Sequence, residues 1–244
     1  MLSNKPWKPD TVTFFGAGVF ACLSFGMLGA SGLSMLLSDV KAADREFYRF
    51  LPGAFGLHVA PVFLAHYFLR ENGVRWGEFL GTSRPALGRA IFTAVLVALV
   101  ATPLALTLNA YSAEIITALQ RKPAELQSSM KLLEISYTLG KRIIFIFAGV
   151  VLAPVAEEII FRGVLYATVK QAGYPRLALF GTSLFFAAFH MNTMAFVPLT
   201  FFAIVMTLLY ERTGRLIAPI VAHATFNAAN ILAYFVQHKM AGSA

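Results

Sequence analysis

Two adjacent glutamates and an arginine lie inside an otherwise apolar stretch at about 142–169. Glu158 and Arg162 are four residues apart, so on an α-helix they share a face and we expect a buried ion pair. Glu157 is turned by about 100° from that face, which leaves it without a partner from this motif. An ion-pair network that only fixes helix packing would explain Glu158 and Arg162. It gives no reason to keep Glu157, because each charge inside a span costs about 2.5–3.5 kcal/mol on insertion scales.

Two later apolar stretches each carry a histidine in a pair of residues at the same spacing. Phe186 is followed four residues later by His190, and His223 is followed four residues later by Asn227. A lone histidine in an apolar span is often an ordinary core residue. However, a carboxylate, two imidazoles and a carboxamide on three apolar spans each need a polar partner. One shared cavity would provide partners for all of them. We interpret the other histidines as structural: His58, His66 and His238.

These side chains match the chemistry of amide hydrolysis. A carboxylate in an apolar site can act as a general base near neutral pH, and a histidine can orient or activate water. A histidine and an asparagine can donate hydrogen bonds to a developing oxyanion. The same groups, Glu157, His190 and His223, could instead hold a divalent metal such as zinc whose bound water attacks. The sequence leaves both routes open.

The composition requires a membrane fold to position these groups. Apolar residues make up 58% of the 244 residues and charged residues 13%, against roughly 45–50% and 25% in soluble domains. These values exclude both a soluble globular domain and a disordered chain. The net charge of +8 is scattered over short loops, which favours contact with anionic headgroups over nucleic acid. The single Cys22 excludes a disulfide within the chain and a cysteine-rich zinc site.

The apolar stretches predict an all-α polytopic helix bundle of seven or eight spans in a single membrane domain. Residues 12–110 hold the first three spans, 111–141 an amphipathic interfacial segment, and 142–236 the spans that carry the motifs. The approximate spans are 12–37, 50–69, 90–110, 142–169, 177–190, 195–210 and 216–236.

The uncharged stretch 177–210 is too long for a single helix across the bilayer, at about 1.5 Å per residue. His190, Asn192, Thr193 and Pro198 predict a break within it. Because a helix that ends at His190 would place this residue away from mid-span, we expect that helix to be tilted or to continue past His190.

The loops predict the orientation of the chain. With 111–141 set aside, more Lys and Arg residues flank the spans on the side of the N-terminus than on the opposite side. The positive-inside rule then predicts a cytoplasmic N-terminus in a cell membrane of the bacterial inner-membrane type.

Glu-Glu-x-x-x-Arg, Phe-x-x-x-His and His-x-x-x-Asn follow one another over residues 157–227. In this order they resemble the CAAX prenyl protease 2 family, whose prokaryotic members are called CPBP or Abi-type intramembrane proteases. The resemblance implies an all-α membrane fold with a cavity among the motif helices. It also implies endoproteolysis near the C-terminus of a membrane-associated peptide or lipidated protein, which in eukaryotic members follows a prenylated cysteine.

The resemblance also assigns roles to residues. Glu157 resembles the general base that acts on water together with His190, and His223 and Asn227 resemble the pair that stabilises the oxyanion. The supporting ion pair corresponds to Glu158 and Arg162. The family has been described both as metal-dependent and as a glutamate-type protease without metal.

Other functions use similar residues. The fold could serve as a non-proteolytic membrane scaffold or bacteriocin-immunity protein, and buried glutamate and histidine also suit a proton-coupled transporter. Other intramembrane proteases fit less well, because the chain has no His-Glu-x-x-His and no aspartate within a span.

Overall fold

The computed structural model describes residues 6–120 and 138–241, and these contain only helices and turns. The first half consists of α1 (Pro9–Leu36), α2 (Ala42–Ala54), the π-helical turn π1 (Phe55–Val59), α3 (Ala60–Glu71), α4 (Trp76–Leu80) and α5 (Leu87–Gln120). The second half consists of α6 (Leu139–Phe147), π2 (Ala148–Leu152), α7 (Ala153–Glu158), π3 (Ile159–Tyr166), α8 (Ala167–Gln171), α9 (Pro175–Phe189), α10 (Thr193–Thr213) and α11 (Ile217–Ala241). The all-α fold expected from the sequence is confirmed.

Six helices of the described ranges are long and apolar enough to cross a membrane. They are Pro9–Leu36, Asp44–Glu71, Leu87–Leu119, Leu139–Gln171, Thr193–Thr213 and Ile217–Val236. The 15-residue helix α9 is a shorter seventh apolar helix. Large apolar side chains such as Phe20 and Phe25 are more than 70% exposed, as expected of a surface that faces lipid. The chain is an integral membrane protein.

The uncharged stretch 177–210 is divided, as the sequence predicted. Helix α9 ends at Phe189, and α10 begins at Thr193 after Asn192, whose side chain accepts a hydrogen bond from the Ala195 amide at 2.9 Å. The expectation that the helix continues past His190 is wrong, because the next residue, Met191, adopts a positive φ of 47° and ends it.

The predicted interfacial segment differs at its start from the described structure. Residues 111–120 form the last turns of α5 rather than a separate surface helix. The remainder of that prediction, residues 121–137, lies outside the described residues.

Two of the π-helical turns are closely followed by a proline. Pro61 is the second residue after π1, and Pro154 is the second residue after π2. A proline in a continuous α-helix clashes with the carbonyl four residues earlier and cannot donate to it. The wider π turn accommodates the ring, so that both helices continue across the proline. The helical rods α2–π1–α3 and α6–π2–α7–π3–α8 are therefore each continuous.

Helix α7 lies at the centre of the helices that carry the motifs. It contacts π1 and α3 of the second span on one side and α11 on another. The following turn, π3, packs against α9, and α9 packs against α10. Side chains from four separate stretches of sequence therefore converge around the two glutamates at the end of α7.

Candidate functional site

Glu158 and Arg162 form an ion pair that is almost completely enclosed. Arg162 Nη1 donates to Glu158 Oε1 at 2.9 Å, and the two side chains are 1% and 0% exposed. Arg162 Nη2 donates to the Ala203 carbonyl at 2.9 Å, and its Nε donates to Thr207 Oγ1 at 3.4 Å. The guanidinium carbon lies 4.8 Å from the centre of the Phe186 ring, within cation–π range. Arg162 therefore joins the fourth span to both α9 and α10.

Glu157 faces away from that pair and toward three imidazoles. Its Oε2 lies 3.9 Å from Nε2 of His190 and 3.9 Å from Nε2 of His223. Its Oε1 lies 3.7 Å from Nε2 of His58. These separations exceed a direct hydrogen bond. Oε2 is buried and has no hydrogen-bond partner among the described residues, so the oxygen that faces His190 and His223 is left for another molecule.

His223 links the two glutamates. Its Nδ1 donates to Glu158 Oε1 at 2.9 Å, and the same carboxylate oxygen accepts from Arg162. The ring is enclosed by Phe186 and Phe202, whose centroids lie 6.0 and 5.3 Å away. Because the Nδ1 proton is directed to Glu158, the orientation of the ring is fixed and Nε2 is presented to the site.

His190 reaches the site from the end of α9. Its Nδ1 donates to the Phe186 carbonyl at 2.8 Å, and its ring lies 4.7 Å from that of Phe186. This hydrogen bond turns Nε2 toward Glu157. The side chain is 31% exposed, against 5% for His223. The site is therefore most open beside His190.

Asn227 lies one helical turn after His223 and contacts the fourth span. Its Nδ2 donates to the Gly149 carbonyl at 2.8 Å. Within π2 the Ala153 amide bonds to the Ala148 carbonyl, five residues earlier. The next carbonyl in that pattern belongs to Gly149, whose partner would be the nitrogen of Pro154, which has no hydrogen to donate. Asn227 thus supplies the hydrogen bond that the proline removes.

His58, which the sequence predicts to be structural, also lies beside Glu157. This residue lies in the middle of the span Asp44–Glu71, and Glu157 lies near the middle of Leu139–Gln171. The equal depth of His58 and Glu157 in the membrane is therefore visible in the sequence and is compatible with a contact between them. It does not show that their two spans are neighbours. By contrast, His66 lies near the end of its helix and accepts a hydrogen bond from Trp76 Nε1 at 3.1 Å. The side chain of His238 lies outside the described residues.

The residues that the sequence predicts for a metal lie farther apart than the ligands of a bound zinc ion. Ligands of a tetrahedral zinc at about 2.0–2.2 Å lie little more than 3 Å apart, whereas Glu157 Oε2 is 3.9 Å from both His190 and His223. No group of three or more histidine, cysteine, aspartate or glutamate side chains in the described part of the chain forms a metal-ligand cluster.

A model of a known protein family matches part of the chain. Residues 139–229 match the family model described as Type II CAAX prenyl endopeptidase Rce1-like. The matched region covers less than half of the 244 residues and includes all three motifs. It confirms the resemblance expected from the motifs and supports an intramembrane endopeptidase of the CAAX type. No curated protein and no solved structure is significantly similar to the chain.

Proposed function

We propose that the chain is an intramembrane endopeptidase of the CAAX type in which Glu157 activates water. One observation supports this most strongly. Glu157 Oε2 has no hydrogen-bond partner among the described residues and lies 3.9 Å from Nε2 of both His190 and His223. A buried carboxylate oxygen between two imidazoles, in an otherwise apolar region, is suited to bind and deprotonate water.

The hydrogen bonds around His190 explain how water is held. Its Nδ1 proton is donated to the Phe186 carbonyl, so neutral His190 presents a lone pair at Nε2. That lone pair and Glu157 Oε2 are both acceptors, 3.9 Å apart. A water oxygen about 2.8 Å from each atom donates one hydrogen to each. The water is thereby oriented, and Glu157 takes the proton as the oxygen attacks.

We assign the stabilisation of the oxyanion to His223 and Asn227. In this role His223 Nδ1 donates to Glu158 Oε1 at 2.9 Å, and its Nε2 is the donor to the oxyanion. Asn227 Nδ2 uses one hydrogen for the Gly149 carbonyl and has a second to donate. Two donors at the developing negative charge are the usual arrangement for acyl transfer.

The proposed reaction is hydrolysis, and its only reactants are the peptide and water. The water oxygen bonds to the scissile carbonyl carbon, and Glu157 receives the proton. The tetrahedral intermediate then collapses, the carbon–nitrogen bond breaks, and Glu157 returns the proton to the leaving amine. The products are a new carboxylic acid on the membrane-bound part of the substrate and a released peptide with a free amine, which takes up the proton that the acid loses.

A substrate with a lipid anchor suits this site. Glu157 lies near the middle of the fourth span, and the large apolar side chains around the bundle are exposed to lipid. A substrate held in the bilayer approaches such a site without crossing bulk water. The resemblance favours a C-terminal segment that follows a prenylated cysteine.

A metal-dependent mechanism is the alternative, and it would use three of the same residues. If a divalent ion binds, Glu157, His190 and His223 would hold it, and it would lower the pKa of a bound water. The 3.9 Å separations are wider than those between ligands of a bound zinc ion, and no step of the proposed mechanism passes through a metal. We further propose a cell membrane of the bacterial inner-membrane type, with a cytoplasmic N-terminus.

Mass spectrometry of membrane peptides tests the function without assuming a substrate. Cells that express the wild type are compared with cells that express Glu157→Ala, and purified wild-type membranes are incubated with and without a chelator. We expect peptides with new C-termini only in wild-type samples and unchanged by the chelator. Loss of these peptides with the chelator would indicate the metal route. Identical peptide sets would contradict proteolysis and leave the scaffold and the proton-coupled transporter as the alternatives.

A further inference from the structure

His58 approaches Glu157 from the second span, outside the three motifs and outside the region that the family model matches. Its Nε2 lies 3.7 Å from Glu157 Oε1, and the two side chains are 12% and 11% exposed. Its Nδ1 is buried and has no hydrogen-bond partner among the described residues. Its ion-pair contact within the described residues is therefore with the carboxylate that the mechanism uses.

The two oxygens of Glu157 have different surroundings. Oε1 faces His58, whereas Oε2 faces His190 and His223. The terminal torsion of a glutamate has only broad, two-fold preferences, so the carboxylate plane is not fixed by the side chain itself. An interaction at Oε1 sets this plane and directs Oε2 to the water.

The position of His58 is fixed by the backbone that carries it. In π1 the Ala60 amide bonds to the Phe55 carbonyl, five residues earlier. Gly56 packs against α1 so closely that a Cβ there would meet the Cys22 carbonyl, and it would lie 3.2 Å from the Gly26 Cα. The turn therefore has little freedom to move. π-helical turns within α-helices are frequent at functional sites.

We propose that His58 is a positioning residue for the hydrolysis. Its Nε2–H donates to Glu157 Oε1 and holds the carboxylate with Oε2 directed at the water between Glu157 and His190. The 3.7 Å separation shortens to a hydrogen bond when substrate is bound, as hydrogen bonds at free active sites commonly do. This inference rests on the proposed function, because it assigns His58 a task in the same reaction.

The test measures kcat and KM in liposomes for the wild type and five purified variants, of which the fifth, Glu157→Gln, removes the proposed base. The substrate is a peptide that ends in a farnesylated cysteine followed by three residues. His58→Ala should lower kcat by about 10- to 100-fold, the effect of one hydrogen bond to a charged group, and change KM by less than about twofold. His58→Gln should restore most of kcat, because the glutamine amide nitrogen lies near the position of Nε2. His58→Asn, whose amide lies near Nδ1, should not. His66→Ala, on the same helix, is the matched control and should equal the wild type.

The outcomes separate this inference from the proposed function. If Glu157→Gln is inactive but His58→Ala matches His66→Ala, the inference is wrong and the proposed function stands. If glutamine and asparagine rescue equally, the role is one of packing and the inference is also wrong. If the wild type cleaves no such peptide, or if Glu157→Gln remains active, the proposed function and this inference fail together.

A second measurement does not depend on activity. In protein labelled with 15N-histidine, the signal present in wild type and absent in His58→Gln belongs to His58. We expect a hydrogen on Nε2 and a chemical shift that changes in Glu157→Gln. A hydrogen on Nδ1, or a shift that Glu157→Gln leaves unchanged, would overturn the inference even if His58→Ala folds poorly.

Discussion

Arg162 carries the most hydrogen bonds of the buried charges described at the site. It donates to Glu158, to the Ala203 carbonyl and to Thr207, and its side chain is 1% exposed. A buried ion pair contributes modest net stability, because desolvation offsets the attraction between the charges. Loss of one partner is costly, because the remaining charge stays buried without compensation.

Arg162→Met should therefore destabilise the protein more than the double variant Glu158→Gln/Arg162→Met. We expect the single change to lower the free energy of unfolding by about 3–5 kcal/mol. The double variant should recover part of this loss, because no unpaired carboxylate is left. Denaturation in detergent measures both, and the exposed Arg212→Met is the control. A double variant that is less stable than Arg162→Met would contradict this view of the pair.

Asn227 is expected to contribute to both stability and rate. Asn227→Ala leaves the Gly149 carbonyl without its donor, which should cost about 1–3 kcal/mol, and it should lower kcat by removing an oxyanion donor. Asn230→Ala, one turn further along α11, is the control. Thermal unfolding and peptide cleavage are measured on the same samples. If Asn227→Ala loses stability but keeps full kcat, Asn227 serves only the backbone of π2.

Residue types and their spacing in the sequence predicted many of the polar residues that meet around Glu157. The separation of four residues between Glu158 and Arg162 defines a shared face whatever surrounds it. His58 could not be assigned in this way, since its contact with Glu157 depends on which spans are neighbours. The partner of Asn227 also required the structure, because it depends on a hydrogen bond that Pro154 cannot make.

At the scale of elements, the second span provides a matched pair of glycines, Gly53 in α2 and Gly56 in π1. A Cβ at Gly56 would meet the Cys22 carbonyl, whereas a Cβ at Gly53 meets no atom within 4 Å. Gly56→Ala should cost about 1–3 kcal/mol, as overpacking does, and should lower kcat because it displaces the turn that carries His58. Gly53→Ala should be neutral or stabilising by up to about 1 kcal/mol. Thermal unfolding of both variants tests this, and equal effects would contradict the close packing of π1 on α1.

Helix boundaries were the least predictable feature of the elements. Apolar composition located the spans, and the polar residues near His190 predicted the break between α9 and α10. The end of α9 depends on the positive φ of Met191, which apolar patterning does not encode. The π turns also escape periodicity analysis, because each inserts one residue into an otherwise regular helix.

At the scale of the whole molecule, the composition was sufficient to predict a membrane bundle. A chain with 58% apolar and 13% charged residues cannot cover its surface with polar groups, so the fold class follows from composition alone. The shared site does not follow, because it requires knowledge of how the spans are arranged around α7.

The orientation of the molecule gives a prediction at the same scale. Ser38 and Ser83 are both exposed and lie in turns at opposite ends of the bundle. In a Cys22→Ser background, a membrane-impermeant maleimide applied to intact cells should label Ser38→Cys and not Ser83→Cys. This result is expected because the loops on the side of the N-terminus hold more positive charge. The opposite labelling pattern would place the N-terminus outside.

The most direct test of the central claim is the kcat of Glu157→Gln for the farnesylated peptide, measured in liposomes beside the wild type. Glutamine keeps the size of the side chain and removes the base. A general base typically contributes about 10²–10⁴-fold to the rate, so we predict a loss of kcat in that range with an unchanged unfolding temperature. A correctly folded Glu157→Gln that cleaves the peptide within about threefold of the wild-type rate would contradict the assignment of Glu157 as the residue that activates water.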